Sequence, residues 1–117
     1  MAAPNIVNVA TITGKTAVQA VGTSATAIVT NSASSGKVFK VNALLVSNVD
    51  GTANADITVD LYRSSTAYHL AKTVVVPADA TLDILAKAIY LEEGDSLRLT
   101  ANAASDLEAV CSYEEIS

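Results

Sequence analysis

The sequence predicts an all-β fold: an antiparallel, jelly-roll-like β-sandwich of about eight strands. Three observations carry this expectation. Apolar and polar residues alternate with period two, as in Asp56-Ile57-Thr58-Val59-Asp60-Leu61-Tyr62 and Ser96-Leu97-Arg98-Leu99-Thr100-Ala101. Short turn signals separate the segments, among them Asp50-Gly51 and Glu93-Gly94-Asp95. The apolar content is mostly small: half the residues are hydrophobic, but Trp is absent and Phe39 and four Tyr are the aromatics.

Taken in order, Asn5 to Thr13 alternates with apolar residues on both faces, which predicts a strand covered on both sides, by a neighbouring subunit if not by the chain itself. Residues 1–13 are therefore assigned as an amino-terminal strand or arm and 14–117 as a single sandwich domain, with Gly14-Lys15 punctuating the two. Ala17 to Val21 and Ala25 to Thr30 are short strands, and 31–36 is a polar loop. Lys37 to Val49 is the longest apolar run and predicts a central strand buried on both faces. Asp50-Gly51 is a hairpin signal before Ala55 to Tyr62, where Ile57, Val59 and Leu61 point inward and Thr58, Asp60 and Tyr62 outward. Residues 63–66 turn the chain into Ala67 to Val76, and Pro77 ends that strand because proline lends no donor to a ladder. Helix competes with strand only over 78–91, whose Ala, Leu and Lys are good helix formers; strand, turn, strand is preferred. Ser96 to Ala101 and Leu107 to Glu115 are expected to close the chain as a hairpin.

The formal net charge of −5, with seven scattered basic residues, disfavours nucleic acid as a partner. No stretch approaches the ~20 apolar residues of a membrane helix, so no membrane partner is expected. The amino terminus shows no basic region followed by an apolar run, so no secretion signal is expected. Cys111 is the single cysteine, which rules out an intramolecular disulfide; it shares a face with Leu107, Ala109 and Tyr113 and is expected to be a buried thiol.

Nothing in the residue pattern calls for catalysis, a cofactor or a metal. His69 is the sole histidine and has no cysteine or histidine partner for zinc. The run 50–56 lacks the spaced acidic ligands of a calcium loop, and turn chemistry accounts for Asp50. Glu92, Glu93 and Asp95 form an acidic turn, expected to be solvated rather than cation-holding. No serine lies in a nucleophile elbow and no glycines form a phosphate cradle. The contact candidates are instead Ile6, Val7, Val9 and Ile12 on the arm, and Tyr62, which presents rigid apolar area and a hydroxyl from a polar strand face.

From residue 35 onward the order of motifs resembles a known group. Ser35-Gly36-Lys37-Val38-Phe39-Lys40-Val41, Leu45-Val46-Ser47-Asn48-Val49-Asp50-Gly51, Ala71-Lys72-Thr73-Val74-Val75-Val76-Pro77, Tyr90-Leu91-Glu92-Glu93-Gly94-Asp95 and the terminal Ser112-Tyr113-Glu114-Glu115-Ile116-Ser117 are similar to small β-sandwich virion proteins of tailed bacteriophages, especially of aquatic and cyanobacterial hosts. The resemblance implies a non-enzymatic structural part of the particle, present in many copies and assembled in the host cytoplasm. It implies a head decoration (cement) protein bridging subunits of the major capsid protein, often as a trimer, or a neck, tail or fibre-attachment component. A carbohydrate-binding host-attachment module is the different-class alternative, disfavoured because aromatic platforms are few.

Overall fold

The structure, a computed structural model, describes residues 4–117. It contains nine strands: β1 (Ile12–Ala20), β2 (Thr26–Thr30), β3 (Val38–Asn48), β4 (Ala55–Arg63), β5 (Thr66–Val76), β6 (Thr81–Asp83), β7 (Ile89–Leu91), β8 (Ser96–Ala101) and β9 (Leu107–Ile116). They form two antiparallel sheets, ordered β1-β9-β3-β6 and β2-β8-β4-β5, with β7 also paired to β3. β6 and β7 lie along one edge of β3, against Leu45–Ser47 and Phe39–Val41 respectively. Counted as two halves of one strand, they give the jelly-roll-like order expected.

Between the sheets lies a core of small aliphatic side chains. Val41, Leu44, Val46, Ile57, Val59, Leu91, Leu97, Leu99 and Cys111 are fully buried, and Phe39 packs its ring 5.6 Å from that of Tyr113. Cys111 shares its inward face with Leu107 and Ala109, as expected. The competing helix over 78–91 does not form; Pro77 follows the last residue of β5.

Several expectations are corrected. Asn5 to Thr13 is not one strand: residues 6–8 form a turn, in which Val7 N donates to Asn5 Oδ1, and β1 begins at Ile12. β1 then runs straight through Gly14-Lys15, because every residue from Ile12 to Ala20 finds a partner on β9. The boundary assigned at 13/14 thus falls inside a strand, and residues 1–3 of the assigned arm lie outside the described residues. β3 is not buried on both faces. A bulge at Asn42 puts both Val41 and Leu44 in the core, and Leu45, on the outer side, is 39% exposed.

Two expected hairpins are crossings between sheets. β3 does not pair with β4, nor β8 with β9. At the first crossing, the buried Asn48 side chain donates to the carbonyls of Ala53 and Val76 at 2.9 Å and accepts from Asp50 N, turning the chain over the end of the sandwich. At the second, Asn102 Oδ1 accepts from Asp56 N, and Asp106 O accepts from Val49 N. The true hairpin joins β4 to β5 through Ser64 and Ser65, both at positive φ (51° and 61°), the signature of a type I′ turn made without glycine.

Asn31 does at the opposite end what Asn48 does here. Its Nδ2 donates to Lys37 O at 2.9 Å and Leu91 O at 3.0 Å, while Oδ1 accepts from Ser35 Oγ. Asn31→Ala strands two carbonyls at a fully buried site, so it should cost about 2–4 kcal/mol. Ser112→Ala, on an exposed position of β9, should stay within about 0.5 kcal/mol. Urea unfolding midpoints at constant m-value check both.

Candidate functional site

Three carboxylates among the described residues, Asp60, Asp95 and Glu115, are held in ion pairs. Asp95 is 1% exposed, so the acidic turn is not simply solvated as expected. Its Oδ1 accepts from Arg63 Nε at 2.7 Å, and Oδ2 accepts from Arg63 Nη2 and from Glu92 N. Burial penalises the Asp95 carboxylate, but the Arg63 guanidinium and the Glu92 N–H outweigh it and hold the carboxyl below its ordinary range. Glu92 pairs with the same guanidinium, and Glu93 Oε2 accepts from Gly36 N. The turn thus clamps the end of β4 against the β7–β8 connection. At the end of β9, Glu115 is bridged by Lys15 and Lys37, each at 3.0 Å. Asp50 accepts from Thr52 N and Oγ1, the turn role expected. No group of three or more His, Cys, Asp or Glu among the described residues is placed to hold a metal ion. No helix among them is long and apolar enough to cross a membrane.

Tyr62, a contact candidate from its polar strand face, is half-buried. Asp60 lies opposite Arg98 on the outer face of the β4 sheet, and Arg98 grips its carboxylate through Nε at 2.9 Å and Nη2 at 3.3 Å. The guanidinium sits 3.8 Å from the Tyr62 ring centroid, a cation–π stack that leaves Tyr62 half-buried. Asp60 faces outward as expected, yet is 2% exposed because it lies beneath this stack. His69, in register with Asp60 on β5, is exposed. The more exposed tyrosines are Tyr68 at 58% and Tyr90 at 42%.

Exposed apolar side chains occur before β1, on the outer face of the β3 sheet, and on β5 of the other sheet, where Tyr68, Leu70, Val74 and Val75 are exposed. Ile6, Val7 and Ile12 are exposed, Val7 at 91%, whereas Val9 is half-buried. These four do not converge on Tyr62, which belongs to the opposite sheet. The structure adds residues the sequence reading missed. Val18, Val110 and Leu45 occupy directly opposed positions on β1, β9 and β3, forming an outward row 74%, 41% and 39% exposed. A signal existed: Val110 alternates against the inward face of Ala109 and Cys111. A shallow depression of about 320 Å³ runs beside the row, lined by Val18, Gln19, Ala20, Glu108, Ala109 and Val110. The Gln19 amide bridges the sheets by donating to Ala27 O, and its Oε1 is the one buried side-chain polar atom left without a partner among the described residues.

With this geometry in place, the comparisons speak to fold. No family model matches the chain, and no curated protein matches it. Among solved structures, the chain is similar to one described as Bacillus endospore appendages that form a novel family of disulfide-linked pili: TM-score 0.53, 15% identity, 92% of this chain and 88% of that one. At this identity the likeness shows the fold alone. A second, a pentameric capsid protein isolated from metagenomic phage sequences, has 19% identity and a TM-score of 0.41; it covers 97% of this chain and 65% of that one and is too distant to support an argument.

Two outcomes follow from the buried groups. Asp95→Asn should destabilise the fold by about 2 kcal/mol at neutral pH, below the usual range for a buried pair because Arg63 is 42% exposed. Because the folded-state pKa is depressed, the wild-type advantage is fully present above the ordinary carboxylate value of 3.8 and is lost as pH falls through the folded value. Urea midpoints from pH 6 down to pH 2 should therefore converge for wild type and variant. Burial pushes the Cys111 thiol up to about 11. A thiol reagent at pH 8 should thus label the native chain at least about a hundredfold more slowly than the urea-unfolded chain.

Proposed function

We propose that this chain is a non-enzymatic structural protein that works by contact within a multi-copy assembly, a tailed-bacteriophage virion, where it acts as a decoration protein on the head and bridges subunits of the major capsid protein. The observation that carries this is the apolar surface left open by a closed and well-paired core: Val7 and Val18 are 91% and 74% exposed. A contiguous exposed apolar row such as that of Val18, Val110 and Leu45 marks a contact surface. Residues 4–14 carry no charge, so nothing on that segment opposes its burial against a neighbour. The sequence resemblance supplies the virion setting, and a fold of the kind seen in a pilus subunit suits a part used in many copies. The contact surface comprises Ile6, Val7, Val9 and Ile12, with Tyr62 contributing on the other sheet through the part of its ring that Arg98 leaves open.

Cryo-electron microscopy of the particle carrying this protein is the test. Density repeated across the icosahedral shell and bridging coat subunits supports the decoration role. Density confined to a ring at the portal vertex or along the tail overturns it in favour of a neck or tail component. Specific glycan binding lost on Tyr62→Ala would reassign the chain as a host-attachment module. Deleting residues 2–9 should weaken attachment to the particle at least about tenfold, measured by pull-down of stripped particles, while the urea midpoint of the sandwich stays nearly constant.

A further inference from the structure

We propose that β1 pairs antiparallel with β1 of a second copy of this chain, across a two-fold axis at Thr16, so that two β3 sheets become one continuous sheet. The inference deepens the contact role proposed above and rests on it.

The four sheet edges are not equivalent. β2 is five residues long and carries a register shift. β6 and β7 are three residues each. β5 is long but twice irregular, with Thr73 at a φ of 47°. Short, broken and bulged edges resist pairing with another chain. β1 has none of these protections. Its nine residues match β9 without a shift, and all except Ala17 and Gln19 are exposed. Its single charge, Lys15, is already tied to Glu115.

β1 is also complementary to itself in one register. Inward residues must oppose inward ones, so the axis must pass through a residue rather than between two. An axis at Lys15 would set two lysines face to face. An axis at Thr16 uses the whole strand: Ile12 opposes Ala20, Thr13 opposes Gln19, Gly14 opposes Val18, and Lys15 opposes Ala17. Val18 then lies over a position with no side chain, where even an added Cβ would find nothing within 4 Å. The Thr13 hydroxyl of the second copy lies across from Gln19, on the same face as its unpartnered buried Oε1. Such a contact is isologous and closes at two copies.

Sedimentation equilibrium of wild type, Thr16→Lys, Thr16→Glu and their equimolar mixture tests this. The Thr16 side chain is exposed, so both variants should keep the wild-type urea midpoint. The expected result is a wild-type dimer, a dimer dissociation constant raised at least about tenfold in each variant, and recovery in the mixture as Lys faces Glu. Thr16→Cys should oxidise to a disulfide dimer faster than Thr26→Cys on the β2 edge, since directly opposed strand residues lie within disulfide reach. A monomeric wild type, variants that dimerise as wild type does, or equal cross-linking at both sites would overturn the pairing. A monomer in solution that still decorates the particle removes this inference alone. A Thr16-dependent dimer absent from every particle removes the virion role and leaves the pairing standing.

Discussion

The fold depends on crossing between two sheets without leaving backbone polar groups unpaired. Every connection except β4–β5 and β6–β7 passes from one sheet to the other. Each crossing carries peptide groups over the end of an apolar core, where no ladder can pair them. Asn31 and Asn48 solve this at opposite ends. Each is buried and offers both amide hydrogens to carbonyls from two separate segments. A side-chain amide suits the task because it donates twice and still accepts. The neighbouring turns complete the pattern: Gly94 N donates to Asn31 O, and Asn48 N donates to Ala80 O. Leucine at either position would bury more apolar area but orphan the carbonyls, and orphaned groups cost more than one side chain's transfer recovers.

The same economy explains the charges. Asp95 with Arg63, Asp60 with Arg98, and Glu115 with two lysines each join strands or turns distant in sequence. A carboxylate already saturated by a guanidinium or by backbone N–H groups is poorly placed to take a proton from a substrate or to bind an ion. Asp60, Asp95 and Glu115 are thus held by the scaffold, and the exposed apolar row of Val18, Val110 and Leu45 stands apart from them.

How much of this was legible in the sequence depended on whether a signal was local. Alternation in Ala55 to Tyr62 and Ser96 to Ala101 located β4 and β8, and Pro77 marked the end of β5, because face and backbone donor count are properties of single residues. The inward placement of Cys111 followed in the same way. Sheet membership was not legible: Asp50-Gly51 is as good a hairpin turn as an arch, and the choice rests on Asn48 reaching Val76 O, 28 residues away. Nor was the cover over Asp60, because the pairing of β4 with β8 is what lays Arg98 across it. The candidate contact residues divide likewise. Ile6, Val7 and Ile12 were singled out by a segment apolar on both faces, though the strand expected there does not form, while the row of Val18, Val110 and Leu45 exists only once three strands are in register.

β1 is where these constraints meet. It completes the β3 sheet, yet its inward positions Thr13, Lys15, Ala17 and Gln19 are polar or small, and only Ala17 packs against the core. Its partner β9 supplies what the interior requires: Leu107, Ala109 and Cys111 are each at most 1% exposed. β9 thus supplies most of the inward apolar surface on this side, while β1 adds Ala17, the Gln19 bridge to Ala27 O and a full ladder of backbone pairing. A strand with that little commitment inside is free to vary in what it meets outside. Its long, unshifted edge is the feature that monomers ordinarily disguise with a bulge, a proline or several lysines. In this chain bulges interrupt β2 and β5, and the β6–β7 edge is short and broken; the edge left without such protection is the one whose side chains match a copy of themselves.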